Sequence, residues 1–98
     1  MTINKTKNGT TLNVAVEGRI DTATAPEFES EVKAELGGIT ELVLDFSKLN
    51  YISSAGLRVL LSLQKTMNKQ GSMELTGVNE TVNDIFEVTG FSEILTIK

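Results

Sequence analysis

Ser53 and Ser54 are the groups in this chain best placed for chemistry. They are adjacent hydroxyls followed by Ala55 and Gly56, in the run Asn50-Tyr51-Ile52-Ser53-Ser54-Ala55-Gly56-Leu57-Arg58-Val59-Leu60-Leu61. An apolar strand gives way there to an apolar helix. A serine at such a joint caps orphan helix amides, and those amides with the positive end of the dipole also favour a phosphoryl group. Both a plain N-cap and a phosphorylation site fit these residues, with Gly56 allowing close packing.

Other chemistries are narrowed by what is missing. The chain has no His and no Cys, so the commonest general base and the usual zinc ligands are absent. Catalysis would rest on carboxylates such as Asp21 and Asp45, on hydroxyls and on amines. Gly37-Gly38 and Gly71 form neither a Gly-x-Gly-x-x-Gly nor a Walker pattern, so no phosphate-cradling loop is found. The reading is a non-enzyme with no cofactor and no metal.

The elements that must position the serines follow from the pattern of the 98 residues, a length suited to one domain spanning 1–98. Asn8-Gly9 sits between two short segments and suggests a tight hairpin turn. In the second segment Leu12, Val14 and Val16 alternate with polar or small residues until Gly18 ends it. Thr24-Ala25-Pro26-Glu27 reads as a helix start, followed by Phe28, Val32 and Leu36 at helical spacing and closed by Gly37-Gly38. Glu41-Leu42-Val43-Leu44-Asp45-Phe46 reads as a central strand buried on both faces. A short loop then leads into a helix from Gly56, with Leu57, Leu60, Leu61, Leu63 and Met67 inward and Arg58, Gln64, Lys65 and Lys69 mostly outward.

Gly71 stops that helix. Ser72 to Val78 reads as a strand, Thr81 to Thr89 as a helix and Glu93 to Lys98 as a last strand. The order β-β-α-β-α-β-α-β describes an α/β fold with a mixed sheet and helices packed against it.

Charge and hydropathy bound the partners. Net charge is −4, from 9 basic and 13 acidic residues spread along the chain. That argues against a nucleic-acid footprint and for a protein partner. No apolar run reaches the roughly 18 residues of a membrane span, and the N-terminus lacks the apolar core of a signal peptide. A cytoplasmic location is expected, without membrane insertion.

The run Asp45-Phe46-Ser47-Lys48-Leu49-Asn50-Tyr51-Ile52-Ser53-Ser54-Ala55-Gly56-Leu57 resembles the signature of the STAS domain family of anti-sigma factor antagonists. That pattern is Asp-x-Ser, an aromatic, an aliphatic, then Asp-Ser-Ser/Thr-Gly-Leu. Glu17 to Phe28 resembles the family's earlier Gly-x-Leu/Ile-Asp segment. The resemblance implies a bacterial regulatory module that binds an anti-sigma factor with serine kinase activity, is switched off by phosphorylation and is restored by a serine/threonine phosphatase.

It also implies an acceptor just before the glycine, where this chain has Ala55, and an aspartate where it has Ser53. Ser54 is then the best remaining acceptor and Ser53 the second. Three roles stay open: an antagonist switched through Ser54, an antagonist that cannot be switched off, and a STAS module serving a transporter or another assembly. The docking surface implied is Asp21, Ser53, Ser54, Ala55, Gly56 and Arg58. Asp21 shapes that surface or caps the following helix, Asp45 holds the turn at Ser47, and Arg58 and Lys65 face an acidic partner or solvent.

Overall fold

The computed structural model describes residues 1–98. Its elements are β1 (Thr2–Asn8), β2 (Thr11–Ile20), α1 (Ala25–Lys33), β3 (Glu41–Ile52), α2 (Ser54–Gln70), β4 (Ser72–Thr76), α3 (Glu80–Thr89) and a 3₁₀ turn at Phe91–Glu93. The sheet runs β1-β2-β3-β4. β1 is antiparallel to β2, while β2, β3 and β4 are parallel through the α1 and α2 crossovers. No helix is long and apolar enough to cross a membrane.

The hairpin pairs Asn8 with Thr11, so its two turn residues are Gly9 and Thr10 instead of Asn8 and Gly9. Gly9 alone takes a positive φ, 60°, as a turn with glycine at its first central position requires.

The buried residues of the regularly paired sheet lie on one face, Leu12, Val14 and Val16 of β2, Leu42, Leu44 and Phe46 of β3, and Met73 and Leu75 of β4, and Ile20, Leu49 and Ile52 are buried beyond the bulges. The helices cover this face, with Phe28 of α1 against Phe46 at 6.5 Å between ring centroids. Burying one such ring contributes about 1.5–3 kcal/mol. Val43 and Asp45 are only partly buried on the opposite face, so β3 is not covered on both sides. Its apolar run reflects a half-buried strand in which Val43 is the one apolar residue turned outward.

β3 also runs six residues past Phe46, where a loop was expected. Register shifts fall between Ala15 and Glu17 and between Gly18 and Arg19, and β3 supplies the extra residue each time. Such bulges bend a strand and re-aim its side chains. Core positions therefore pass from a spacing of two at Leu42, Leu44 and Phe46 to a spacing of three at Leu49 and Ile52. Ser47-Lys48 and Asn50-Tyr51 are the outward pairs between them, which is why they resemble loop dipeptides. β2 likewise continues through Gly18 to Ile20.

Other departures are local. α1 ends at Lys33, and Leu36 is buried in the turn beyond it. Gln64 is buried with its Oε1 unpaired, and its amide nitrogen donates to Asn68 at 2.9 Å. Four residues beyond Leu60 and seven beyond Leu57, it shares their face of α2, whereas Leu61 is only partly buried. The last strand is not formed. The 3₁₀ turn occupies Phe91–Glu93, and Ile97 makes one isolated parallel bridge to Leu75. Val88 of α3 is 84% exposed.

Candidate functional site

The joint between β3 and α2 is a single residue. Ile52 ends the strand, Ser53 is extended at φ −92° and ψ 175°, and Ser54 opens the helix. Two backbone bonds fix it: Ser53 N–H donates to Ile20 O at 2.8 Å, and Leu57 N–H donates to Ser53 O at 2.9 Å. The end of β2 and the start of α2 are thus tied through one residue.

Ser53 is the N-cap, and its hydroxyl accepts from Gly56 N–H at 3.4 Å. The length of that bond makes it a weak cap. Ser54 is exposed in the first turn, and its hydroxyl is engaged by no protein group. The first turn of α2 holds no acidic residue, which leaves its positive dipole end uncompensated by any side chain there.

Gly56 is the point of closest approach. A Cβ there would lie 2.6 Å from Ile52 Cγ1 and 2.8 Å from Ile20 Cγ2. Only glycine lets the first turn of α2 settle onto the ends of β2 and β3. Ala55 faces the other way, half-buried against the edge of the core.

Asp21 follows β2 directly. Its Oδ1 accepts from Ala23 N–H and Thr24 N–H, each at 3.0 Å. The Thr24 amide is the main cause holding this carboxyl below its ordinary pKa, with the Thr24 hydroxyl, the Ala23 amide and Arg19 adding to the effect against partial desolvation. Thr24 occupies the N-cap position of α1 without a side-chain cap bond. Its hydroxyl instead accepts from Asp21 N–H at 2.8 Å and lies 3.0 Å from Arg19 O. Asp21 therefore organises the turn into α1, as a short carboxylate does when it bonds the backbone two residues on. Arg19 lies 3.7 Å from Asp21 Oδ2, and its guanidinium sits 4.8 Å from the centre of the Tyr51 ring.

Arg58 is exposed on α2 and makes no ion pair with any carboxylate of the chain. With Ala55 and Val59 it forms one wall of an open cleft of about 350 Å³ whose other wall is Thr22, Ala25, Pro26 and Glu29. The expected surface residues thus fall into two groups. Ser53, Ser54, Ala55, Gly56 and Arg58 share the first turns of α2, while Asp21 sits at the neighbouring end of β2. Thr22, Ala25, Pro26, Glu29 and Val59 were not among the expected surface residues. Their only signal was proximity to the two motifs, because the cleft exists through the packing of α1 on α2.

Asp45 lies apart from the serines. Its Oδ1 accepts from Ser47 N–H at 2.9 Å across the first bulge of β3, and this bond is the first cause of a carboxyl pKa held below the ordinary value. A smaller concavity of about 140 Å³ on the open sheet face is lined by Asn4, Ala15, Val16, Glu17, Asp45, Ser47 and Lys48. No group of three or more Asp or Glu is arranged to hold a metal ion.

Residues 2–98 match the family model of the STAS domain. BtrV of Bordetella bronchiseptica, named an anti-sigma factor antagonist, is 36% identical over 88 residues, covering 88% of this chain and 76% of that protein. The anti-sigma-B factor antagonist of Listeria monocytogenes is 33% identical over 90 residues, covering 89% and 78% respectively. Among solved structures, an anti-sigma factor antagonist from Mycobacterium paratuberculosis superposes with a TM-score of 0.88 at 23% identity, covering 98% of this chain and 83% of that one. With its mixed sheet, its parallel crossovers and the Ser-Ser-Ala-Gly joint between β3 and α2, the chain belongs to the STAS domain family.

Proposed function

We propose that this protein is an anti-sigma factor antagonist. It binds an anti-sigma factor that is also a serine kinase, through the end of β2, the β3–α2 joint and the first turns of α2, and phosphorylation of Ser54 ends the complex. The observation that carries the assignment of the acceptor is the different fate of the two hydroxyls. Ser53 is drawn inward as the helix cap, whereas Ser54 is exposed and unengaged. Ala55 stands where the family pattern has its acceptor and has no hydroxyl. The names of the relatives favour an antagonist over a transporter subunit.

The effect of a phosphate follows from its place. It brings roughly −1.5 to −2 charges at pH 7 to the centre of a docking surface. Helix amides and the dipole stabilise it in the folded protein, so the fold survives while a partner surface fitted to a neutral serine meets charge and desolvation. A metal-dependent serine/threonine phosphatase would reverse the step by hydrolysis of the phosphomonoester.

The test is incubation with ATP, magnesium and the purified serine-kinase anti-sigma factors of the same bacterium, read by intact mass and site mapping. One phosphate on Ser54, with loss of kinase binding, is the expected result. Tight binding without any phosphate would make this a permanent antagonist, and binding to none of the kinases would reject the assignment.

A further inference from the structure

The nine cations of the chain divide into two sets. Lys5, Lys7, Arg19, Lys33, Lys48 and Lys98 each lie within 4 Å of a carboxylate oxygen. Arg58, Lys65 and Lys69 do not, and all three are exposed on α2. Their spacing of seven and then four residues puts them within about 40° of one another around the helix axis, on a line roughly 16 Å long. α2 contains no Asp or Glu, so it carries +3 in a chain whose net charge is −4, leaving −7 on the remainder.

α1 adds to this line. Lys33 Nζ donates to Ser62 Oγ at 2.8 Å, between Arg58 and Lys65 in the sequence of α2, and its own carboxylate partner Glu29 is at 3.0 Å. Glu29 also lines the cleft beside Arg58. Even with Glu29 included, the ridge is strongly positive. It begins one helical turn beyond Ser54 and runs to the last turn of α2.

We infer that this ridge docks an acidic strip on the protein partner, an extension of the proposed antagonist surface that depends on that reading. A row of unpaired cations on an otherwise acidic protein attracts a negative surface and repels like copies of itself, raising association rates and fixing orientation. Three charges over this length suit a protein strip better than nucleic acid, whose close approach the −7 elsewhere opposes. The ridge also deepens the switch. Ser54 and Arg58 are four residues apart on one helix face, about 5–6 Å between Cβ atoms, so a phosphate on Ser54 partly cancels the end of the ridge.

The experiment compares wild type, K65E/K69E and K65Q/K69Q for association with the same purified serine-kinase anti-sigma factors, by stopped flow at about 20 mM and about 500 mM salt, where screening separates the regimes. K48E/K98E has the same net charge as K65E/K69E with the changes off α2. Circular dichroism checks that each variant is folded.

At low salt the association rate falls at least tenfold in K65E/K69E and by a smaller factor in K65Q/K69Q, and the variants approach wild type at high salt, as expected for electrostatic steering. An unchanged rate in both α2 variants overturns the ridge while leaving the antagonist reading intact. So does an equal loss in K48E/K98E, which would show an effect of net charge alone. Wild type that binds none of the kinases removes the antagonist reading and the ridge with it. Retention of wild type, but not K65E/K69E, on vesicles containing phosphatidylserine would assign the ridge to a membrane surface and overturn the protein strip.

Discussion

Replacing Gly56 with alanine tests whether the close seat of α2 on the sheet holds the β3–α2 joint in place. Two effects oppose each other. Gly56 lies in the first turn of α2, and alanine restores up to about 1 kcal/mol of helix propensity. Against that, the new Cβ meets Ile52 Cγ1 at 2.6 Å and Ile20 Cγ2 at 2.8 Å, about 1 Å inside ordinary carbon contact. Ile20 and Ile52 are fully buried, and Ile52 Cγ1 is a methylene next to the branched Cβ and not a flexible tip. Overpacking of this kind costs about 1–3 kcal/mol, and two simultaneous contacts place it at the upper end.

Gly56→Ala is therefore destabilising by about 2 kcal/mol net of the propensity gain. For a chain of this size that corresponds to a melting temperature lower by very roughly 8–16 °C. Urea titration gives the difference, and an unchanged slope shows that the two states being compared are the same. The double variant with Ile20→Ala, which deletes one of the two atoms in the way, is expected to show a favourable coupling of about 1 kcal/mol or more between the sites. A Gly56→Ala protein as stable as wild type, or additivity in that cycle, would refute the packing argument.

Three further outcomes follow from the same geometry. Ser53→Ala removes the cap and lowers stability by about 0.5–1 kcal/mol, the low part of the range because its bond is long, whereas Ser54→Ala changes the urea midpoint little and abolishes phosphate uptake in the mass assay. Asp21 and Asp45 both have carboxyl pKa values below the ordinary 3.8, so the unfolded chain binds protons more readily than the folded one. The stability they contribute is present above about 3.8 and is lost as pH falls through their folded values. Asp21→Asn keeps an acceptor for the Ala23 and Thr24 amides but loses the charge, so its urea midpoint lies below wild type at neutral pH and converges with it as pH falls below 3.8, giving a shallower acid slope; an unaltered acid slope would count against the assignment. Gln64→Met removes a buried carbonyl with no partner and keeps the volume, so the urea midpoint rises by an equivalent of about 1 kcal/mol.

The order of elements as far as α3 was legible because its signals are local. Turn glycines and apolar residues at helical spacing mark α1, α2 and α3 without reference to any neighbour. Glu93 to Lys98 reads as a strand because Ile94, Leu95 and Ile97 alternate loosely, but only Ile97 bridges β4, and Glu93 belongs to the 3₁₀ turn Phe91–Glu93. The length of β3 was not legible for a related reason. Ser47-Lys48 and Asn50-Tyr51 look like loop pairs until their pairing with β2 is known, and the bulges that make room for them belong to two strands at once.

The site divides along the same line. A serine before a helix is a cap by local rules, and Ser53 is one. Asp21 close to Thr24 is a local turn, and the backbone bonds make it one. The need for glycine at 56, by contrast, comes from Ile20 and Ile52 on two strands, and the cleft beside Arg58 comes from α1 lying against α2. Ser54 joins the two kinds of information. Its exposure follows from the β3–α2 joint: Ser53 N–H is held by Ile20 O at the end of β2 and its hydroxyl caps the helix, while the helix opens on the next residue with that residue's hydroxyl turned out. β3, carried through its bulges to pair Ile52 with Ile20, delivers Ser53 to the end of β2, and that seat sets the capping serine apart from Ser54.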